Sequence, residues 1–185
     1  MFRFAAKAAA VAVACMLTAH VRAEDTKLNV KVGDKFPDVA LAAAQIDKVK
    51  KDAKTVSIAD LKGKTVVVFF YPKALTGGCT VESCGFRDLM KDKDFPKDVV
   101  ILGASGDDQK LQQQFIDKNE LPMALLCDTD LKLIKELGIL GAANGKTPKR
   151  VTFVMDKEGK IAKIYDKVTP ASHPKEVLEF VKTLK

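Results

Sequence analysis

The sequence predicts an α/β fold, with a central mixed β-sheet flanked by helices. Three observations predict it. Residues 65–71 read T-V-V-V-F-F-Y, without a charge and rich in β-branched and aromatic side chains. That is the pattern of a strand buried on both faces. Further along, strand-like apolar runs alternate with helix-like periodicities, the order of an α/β layer. Finally, segments 150–156 and 160–166 flank a Lys-Glu-Gly turn and read as a hairpin.

Residues 1–23 contain no acidic side chain. Arg3 and Lys7 precede an apolar run from Ala8 to Ala19, and Val21-Arg22-Ala23 follow. These are the three parts of a secretory signal peptide, with cleavage expected after Ala23. The run is too short to span a membrane. Export to a periplasmic or secreted location is expected, with residues 24–185 as the mature domain. A transit peptide to an organelle is the alternative. Cys15 follows Ala12-Val13-Ala14, a weak likeness to a lipoprotein box, and is read as part of the leader.

Residues 27–39 form an extended lead-in with a Gly33-Asp34 turn. The Ala- and Lys-rich stretch 41–56 reads as connection with room for a helical turn, and residues 57–63 lead into the central strand. Pro72 ends that strand, because proline cannot donate to a central ladder. Gly77 and Gly78 then allow a tight turn. From Cys79 onward, Val81, Cys84, Phe86 and Leu89 fall at helical spacing. Val99–Ser105 reads as a second buried strand and Asp107–Asn119 as a helix with an Asp cap. Met123–Cys127 is a short strand, and Asp130–Leu137 a short helix ending at Gly138. Pro174–Leu184 is a final amphipathic helix with proline near its start.

At 185 residues the chain suits one domain with a real core. Of its formal charge of +7, Arg3, Lys7 and Arg22 supply three, leaving +4 for residues 24–185. The remaining lysines are spread without a basic stripe, which argues against a nucleic-acid partner. No Walker loop or G-x-G-x-x-G is present. His20 and His173 stand in no recognised zinc spacing with Cys79 and Cys84.

The chemistry gathers at Cys79. Unpaired N–H groups at a helix start favour negative charge, and so favour the nucleophilic thiolate over the thiol. The plainer reading is a small buried apolar residue. The Gly-Gly turn and helix start around Cys79 favour the reactive one. Cys84 lies five residues on. In an unbroken helix the two Cα atoms are roughly 8.6 Å apart on different faces, whereas a disulfide needs about 7 Å or less. Bonding therefore requires the first turns to unwind. Thr80, Val81 and Gly85 make that segment inexpensive to melt. The pair reads as a switch rather than a staple. Cys127, at the end of a short strand, reads as a buried apolar residue, and leader removal would leave three cysteines.

Pro72-x-x-x-Thr76-x-x-Cys79 resembles the P-x-x-x-T-x-x-C signature of the peroxiredoxins. The extension Cys79-Thr80-x-Glu82-x-Cys84-x-Phe86-Arg87-Asp88 is similar to the peroxiredoxin Q, or bacterioferritin comigratory protein, subgroup. Gly77 departs from it, standing where the subgroup commonly has proline, and residues 41–56 exceed its usual link. The resemblance implies a thioredoxin-like fold and a peroxidase acting on hydrogen peroxide and organic hydroperoxides. It makes Cys79 the peroxidatic residue and Cys84 the resolving one, with no metal or organic cofactor and with thioredoxin or a similar dithiol as reductant. A monomer is expected. Arg150 precedes Thr152-Phe153-x-x-Asp156, matching the family's arginine beside the peroxidatic cysteine; alone it would read as a surface residue at a strand end. Arginine offers a planar donor fork that stays charged. Thr76 can cap the helix or bond a peroxide oxygen, and the resemblance adds a shielding role for Pro72. Glu82 is given a structural role near the helix dipole. Two rivals are a thioredoxin-like disulfide-exchange protein, which carries C-x-x-C, and a copper-binding assembly protein like the Sco family, which carries C-x-x-x-C. Neither spacing occurs at Cys79.

Overall fold

The structure, a computed structural model, describes residues 28–141 and 145–184. The leader reading, with Cys15 and His20, lies outside the described residues. Among the described residues there are six strands and four α-helices, with two short 3-10 turns at Ile46–Lys48 and Ala59–Leu61.

Strand β2 (Thr65–Phe70) is buried along its whole length. It pairs in parallel with β3 (Val99–Ser105) and antiparallel with β5 (Val151–Met155). β3 pairs in parallel with β4 (Ala124–Cys127), and β5 forms the predicted hairpin with β6 (Ile161–Tyr165). The sheet order is β1-β4-β3-β2-β5-β6.

Edge strand β1 (Ala42–Ala44) is the element that sequence reading missed. It lies in the stretch read as connection and pairs antiparallel with β4, Ala43 opposite Leu126. Three alanines carry little strand propensity of their own. The open edge of β4 makes this segment a strand, and Ile46–Lys48 supplies the helical turn that follows.

Successive side chains of β2 point to opposite faces. Val66, Val68 and Phe70 enter one core with Phe36, Leu133, Ile134 and Leu137. Val67, Phe69 and Tyr71 enter the other, with Phe86, Phe115, Ile116, Val177 and Cys79. The first face is covered by the lead-in and α3 (Lys132–Leu137). The second is covered by α1 (Gly77–Met90), α2 (Gln109–Asn119) and α4 (His173–Val181). Phe86 stacks on Phe69 with ring centroids 4.6 Å apart and is wholly buried. Burial of such a side chain contributes about 2 kcal/mol.

Helix α1 begins earlier than its periodicity suggests, and it is rotated. Gly77 and Gly78 are its first residues rather than the turn before it. The sharp turn falls at Leu75, held left-handed at φ 63°. The buried stripe is Cys79, Glu82, Ser83 and Phe86, at i, i+3, i+4 and i+7. Val81, expected inside, is exposed. Gly85 has a packing reason beyond weak helix propensity. A Cβ there would meet Pro174 Cγ at 2.7 Å, so only glycine lets α4 approach this closely.

Candidate active site

Cys79 is the third residue of α1, in the turn that caps the C-terminal end of β2. Its side chain is nearly excluded from solvent. Across the sheet, Arg150 immediately precedes β5, whose first residue Val151 lies opposite Phe70. That register carries the guanidinium over the start of α1. Arg150 Nη2 donates to Cys79 Sγ at 3.2 Å. A hydrogen bond from a cation to sulfur strengthens as the sulfur gains negative charge.

The other arm of the fork, Nη1, donates to Glu82 Oε2 in an ion pair. Glu82 is wholly buried. It therefore lies in the second turn, under Arg150, rather than near the helix dipole. Burial pushes its carboxyl up to about 7, against the downward pull of Arg150. Behind it, His173 Nε2 lies 3.9 Å from Glu82 Oε1 and 2.8 Å from Thr152 Oγ1. Burial pushes His173 down to about 4, so the ring is neutral at pH 7. The rings of Phe86 and Tyr165 pack against it in T-shaped contacts. Glu82 Oε1, Ser83 Oγ and His173 Nδ1 are the buried side-chain atoms without a hydrogen-bond partner among the described residues.

Thr76 is the N-cap residue, but its hydroxyl makes no cap bond. It donates instead to the Lys73 carbonyl at 2.9 Å. This corrects the capping expectation: the Thr76 backbone has the usual extended N-cap conformation, but its hydroxyl is engaged by the Lys73 carbonyl instead of the helix N–H groups. Pro72 is half-buried at the head of that loop. Cys84 is half-buried on a different face of α1 from Cys79, and its thiol faces Asn119 Oδ1 at 3.8 Å. Both cysteines are free within one unbroken helix. Cys127 is free and buried, with its thiol toward the Leu125 carbonyl, and burial pushes it up to about 11.

The structure thus brings Cys79 and Arg150 into contact and places Thr76 and Pro72 on the loop leading to them. Glu82 and His173 were not identified as a buried pair from sequence. A usable signal existed for Glu82, since it shares the i, i+3, i+7 stripe of Cys79 and Phe86. His173 offered none beyond its place at a helix start. No group of His, Cys, Asp and Glu able to hold a metal occurs among the described residues.

The AhpC/TSA family model matches residues 32–164. The chain is 36% identical over 163 residues to peroxiredoxin Bcp of Bacillus subtilis, covering 85% of this chain and 98% of that protein. It is 35% identical over 158 residues to peroxiredoxin Bcp of Escherichia coli, covering 83% and 96%. The crystal structure of peroxidoxin BcpB from Mycobacterium tuberculosis superposes with a TM-score of 0.72 at 28% identity, covering 84% of this chain and 99% of that one. A thioredoxin-like fold, a family model spanning most of the chain and near-complete coverage of two Bcp proteins lead to one conclusion. The chain belongs to the AhpC/TSA family, in its Bcp or peroxiredoxin Q branch, and is a thiol-dependent peroxidase.

Proposed function

We propose that Cys79 is the peroxidatic residue and that Cys84 resolves it within the same chain. The observation that carries this reading is the 3.2 Å contact from Arg150 Nη2 to Cys79 Sγ at the start of α1. The Cys79 thiolate attacks the terminal oxygen of a hydroperoxide. The O–O bond breaks, the leaving oxygen takes a proton as water or alcohol, and the sulfur becomes a sulfenic acid. Arg150 offsets charge on sulfur before attack and can follow it onto the peroxide oxygens.

Resolution needs α1 to open. Cys79 and Cys84 lie in continuous helix, roughly 8.6 Å apart at Cα against a disulfide limit of about 7 Å. Once the turn unwinds, the Cys84 thiol condenses with the sulfenic acid, releasing water and leaving a disulfide. An external dithiol reduces it by exchange. Thioredoxin or a similar dithiol suits that step. Cys127 is disfavoured as resolver because burial holds it as a thiol.

The test is Cys84→Ser. Its first turnover with peroxide should proceed at the wild-type rate, while disulfide formation and dithiol-supported turnover are lost. Retained disulfide in that variant would move resolution to Cys127. Hydrogen exchange across residues 79–88 should rise on oxidation of the wild type; equal exchange in both forms would count against helix opening.

The basic, apolar and small-residue pattern of residues 1–23 supports export, with a mature chain beginning near Glu24. Mass spectrometry of protein from its source tests this, and an intact Met1 would refute it. Action as a monomer is part of the same proposal, tested by sedimentation of the reduced and oxidised forms.

A further inference from the structure

We propose that Asp107 is a positioning residue for the peroxidase reaction, acting by pinning the loop that carries Thr76 into α1. The inference rests on Cys79 being the peroxidatic residue. Asp107 lies just after β3, one residue before the true cap of α2. That cap is Asp108, which accepts from Leu111 N at 2.8 Å. Asp107 is therefore not needed for the helix, and its side chain turns the other way. Oδ2 accepts from the backbone N–H of Ala74 at 2.7 Å and from Ser105 Oγ at 2.9 Å.

Those partners connect two parts of the fold. Ser105 Oγ also accepts from Gln112 Nε2 at 2.8 Å, and the Tyr71 hydroxyl donates to Gln112 Oε1. Gln112, Ser105 and Tyr71 are all buried. A rigid polar chain thus runs from the core to one backbone N–H of the loop. Ala74 precedes Leu75, whose left-handed φ of 63° is unfavourable for a branched side chain. The Asp107 bond ties that kink to the core, whereas the bond from the Thr76 hydroxyl to the Lys73 carbonyl stays within the loop. Leu75 is followed by Thr76, whose carbonyl accepts the first helix bond, from Thr80 N at 2.8 Å. Loop, helix start and Cys79 are thus consecutive in the chain and joined by that bond. Release of Ala74 lets Leu75 relax and shifts the N–H groups and Thr76 hydroxyl around the peroxide. A displacement of that kind is costly to a reaction that depends on alignment.

Position and charge are separable at this residue. Asp107→Asn keeps an oxygen at the same reach and loses the charge. Asp107→Glu keeps the charge and moves the acceptor by one methylene. Asp107→Ala removes both. The second-order reaction of Cys79 with hydrogen peroxide is measured by competition against a haem peroxidase. It should stay within about threefold of wild type for Asn, and fall about tenfold or more for both Glu and Ala. Alkylation of Cys79 by iodoacetamide, which needs no peroxide alignment, should change less than about threefold in all of them, as a loop displacement rather than loss of the thiol requires. Cys79→Ser is run alongside: wild-type peroxide consumption in that variant overturns the Cys79 assignment itself. With Cys79 upheld, a Glu variant as fast as wild type, an Asn variant as slow as Ala, or equal losses in alkylation and peroxide reaction each overturn the positioning role. Should Asp107→Ala fail to fold, the Asn and Glu pair decides alone.

Discussion

Cys79 and Cys127 are both buried thiols at the ends of regular elements, and their surroundings differ in kind. Cys79 sits in the first turn of α1, with a guanidinium at 3.2 Å. Cys127 ends β4, with its thiol toward the Leu125 carbonyl at 3.7 Å. Burial pushes Cys127 up to about 11, against a backbone hydrogen bond at Ala44, and the nearby Asp108 and Asp107 carboxylates add to the rise. Near pH 7 Cys127 is a thiol and a packing residue. The difference teaches that burial does not decide the chemistry of a cysteine. What matters is whether the burying shell brings a cationic donor to the sulfur, as Arg150 does at Cys79, or leaves it beside carboxylates, as at Cys127.

The largest effect expected from this contrast is on turnover. Cys79→Ser should abolish dithiol-supported peroxide reduction, while Cys127→Ser should leave it within about twofold, as for a packing thiol. Comparable losses in both would erase the distinction drawn here. Next is the guanidinium. Arg150→Lys keeps the charge but loses the two-armed fork. We expect the second-order reaction of Cys79 with peroxide to fall by about 10²-fold, the scale of one lost oxyanion donor. An unchanged rate constant would reduce Arg150 to a point charge.

A smaller effect concerns the pair behind Arg150. The folded state raises Glu82 to about 7 from 4.5, so folded protein holds a proton there that the unfolded chain releases. Stability from Glu82 thus falls as pH rises from about 4.5 to about 7. His173 is lowered to about 4 from 6.5, so the unfolded chain binds a proton that the folded chain does not. Its contribution rises with pH from about 4 to 6.5. Between about 4.5 and 6.5 the two slopes oppose, and the pair adds little net pH dependence. His173→Phe removes one of them. Urea unfolding of that variant should then lose stability with rising pH across this window, relative to wild type. Parallel pH profiles would show that the two groups do not compensate.

The smallest effect is packing at the inert thiol. Cys127→Ala should destabilise by about 1 kcal/mol, typical of a small core deletion, and leave the peroxide reaction unchanged. A drop in reactivity with unchanged stability would give Cys127 a chemical role.

Much of this architecture is written in local signals. An uncharged β-branched run has few fates other than a central strand, and β2 is buried throughout. The hairpin, the Gly138 stop after α3 and the proline near the start of α4 are likewise properties of neighbouring residues. So are the Pro72, Thr76 and Cys79 spacing and the place of Cys79 at a helix start, because a strand, a loop and a helix in succession fix it. The helical distance between Cys79 and Cys84 also follows from spacing alone.

Tertiary structure decided what depends on distant partners. Ala42–Ala44 is a strand because β4 offers an edge 80 or so residues later, as the pairing of Ala43 with Leu126 requires. Which face of α1 turns inward was set by the sheet and by α4. Hence Glu82 is buried and Val81 is not, although hydrophobicity alone ranks them the other way. Arg150 meets Glu82 across 68 residues and Cys79 across 71, and Asp107 reaches Ala74 across 33. Apart from the family resemblance that puts Arg150 beside Cys79, no local pattern encodes such meetings. They follow from strand order and register, which place the start of β5 and the end of β3 beside the end of β2, where Cys79 stands.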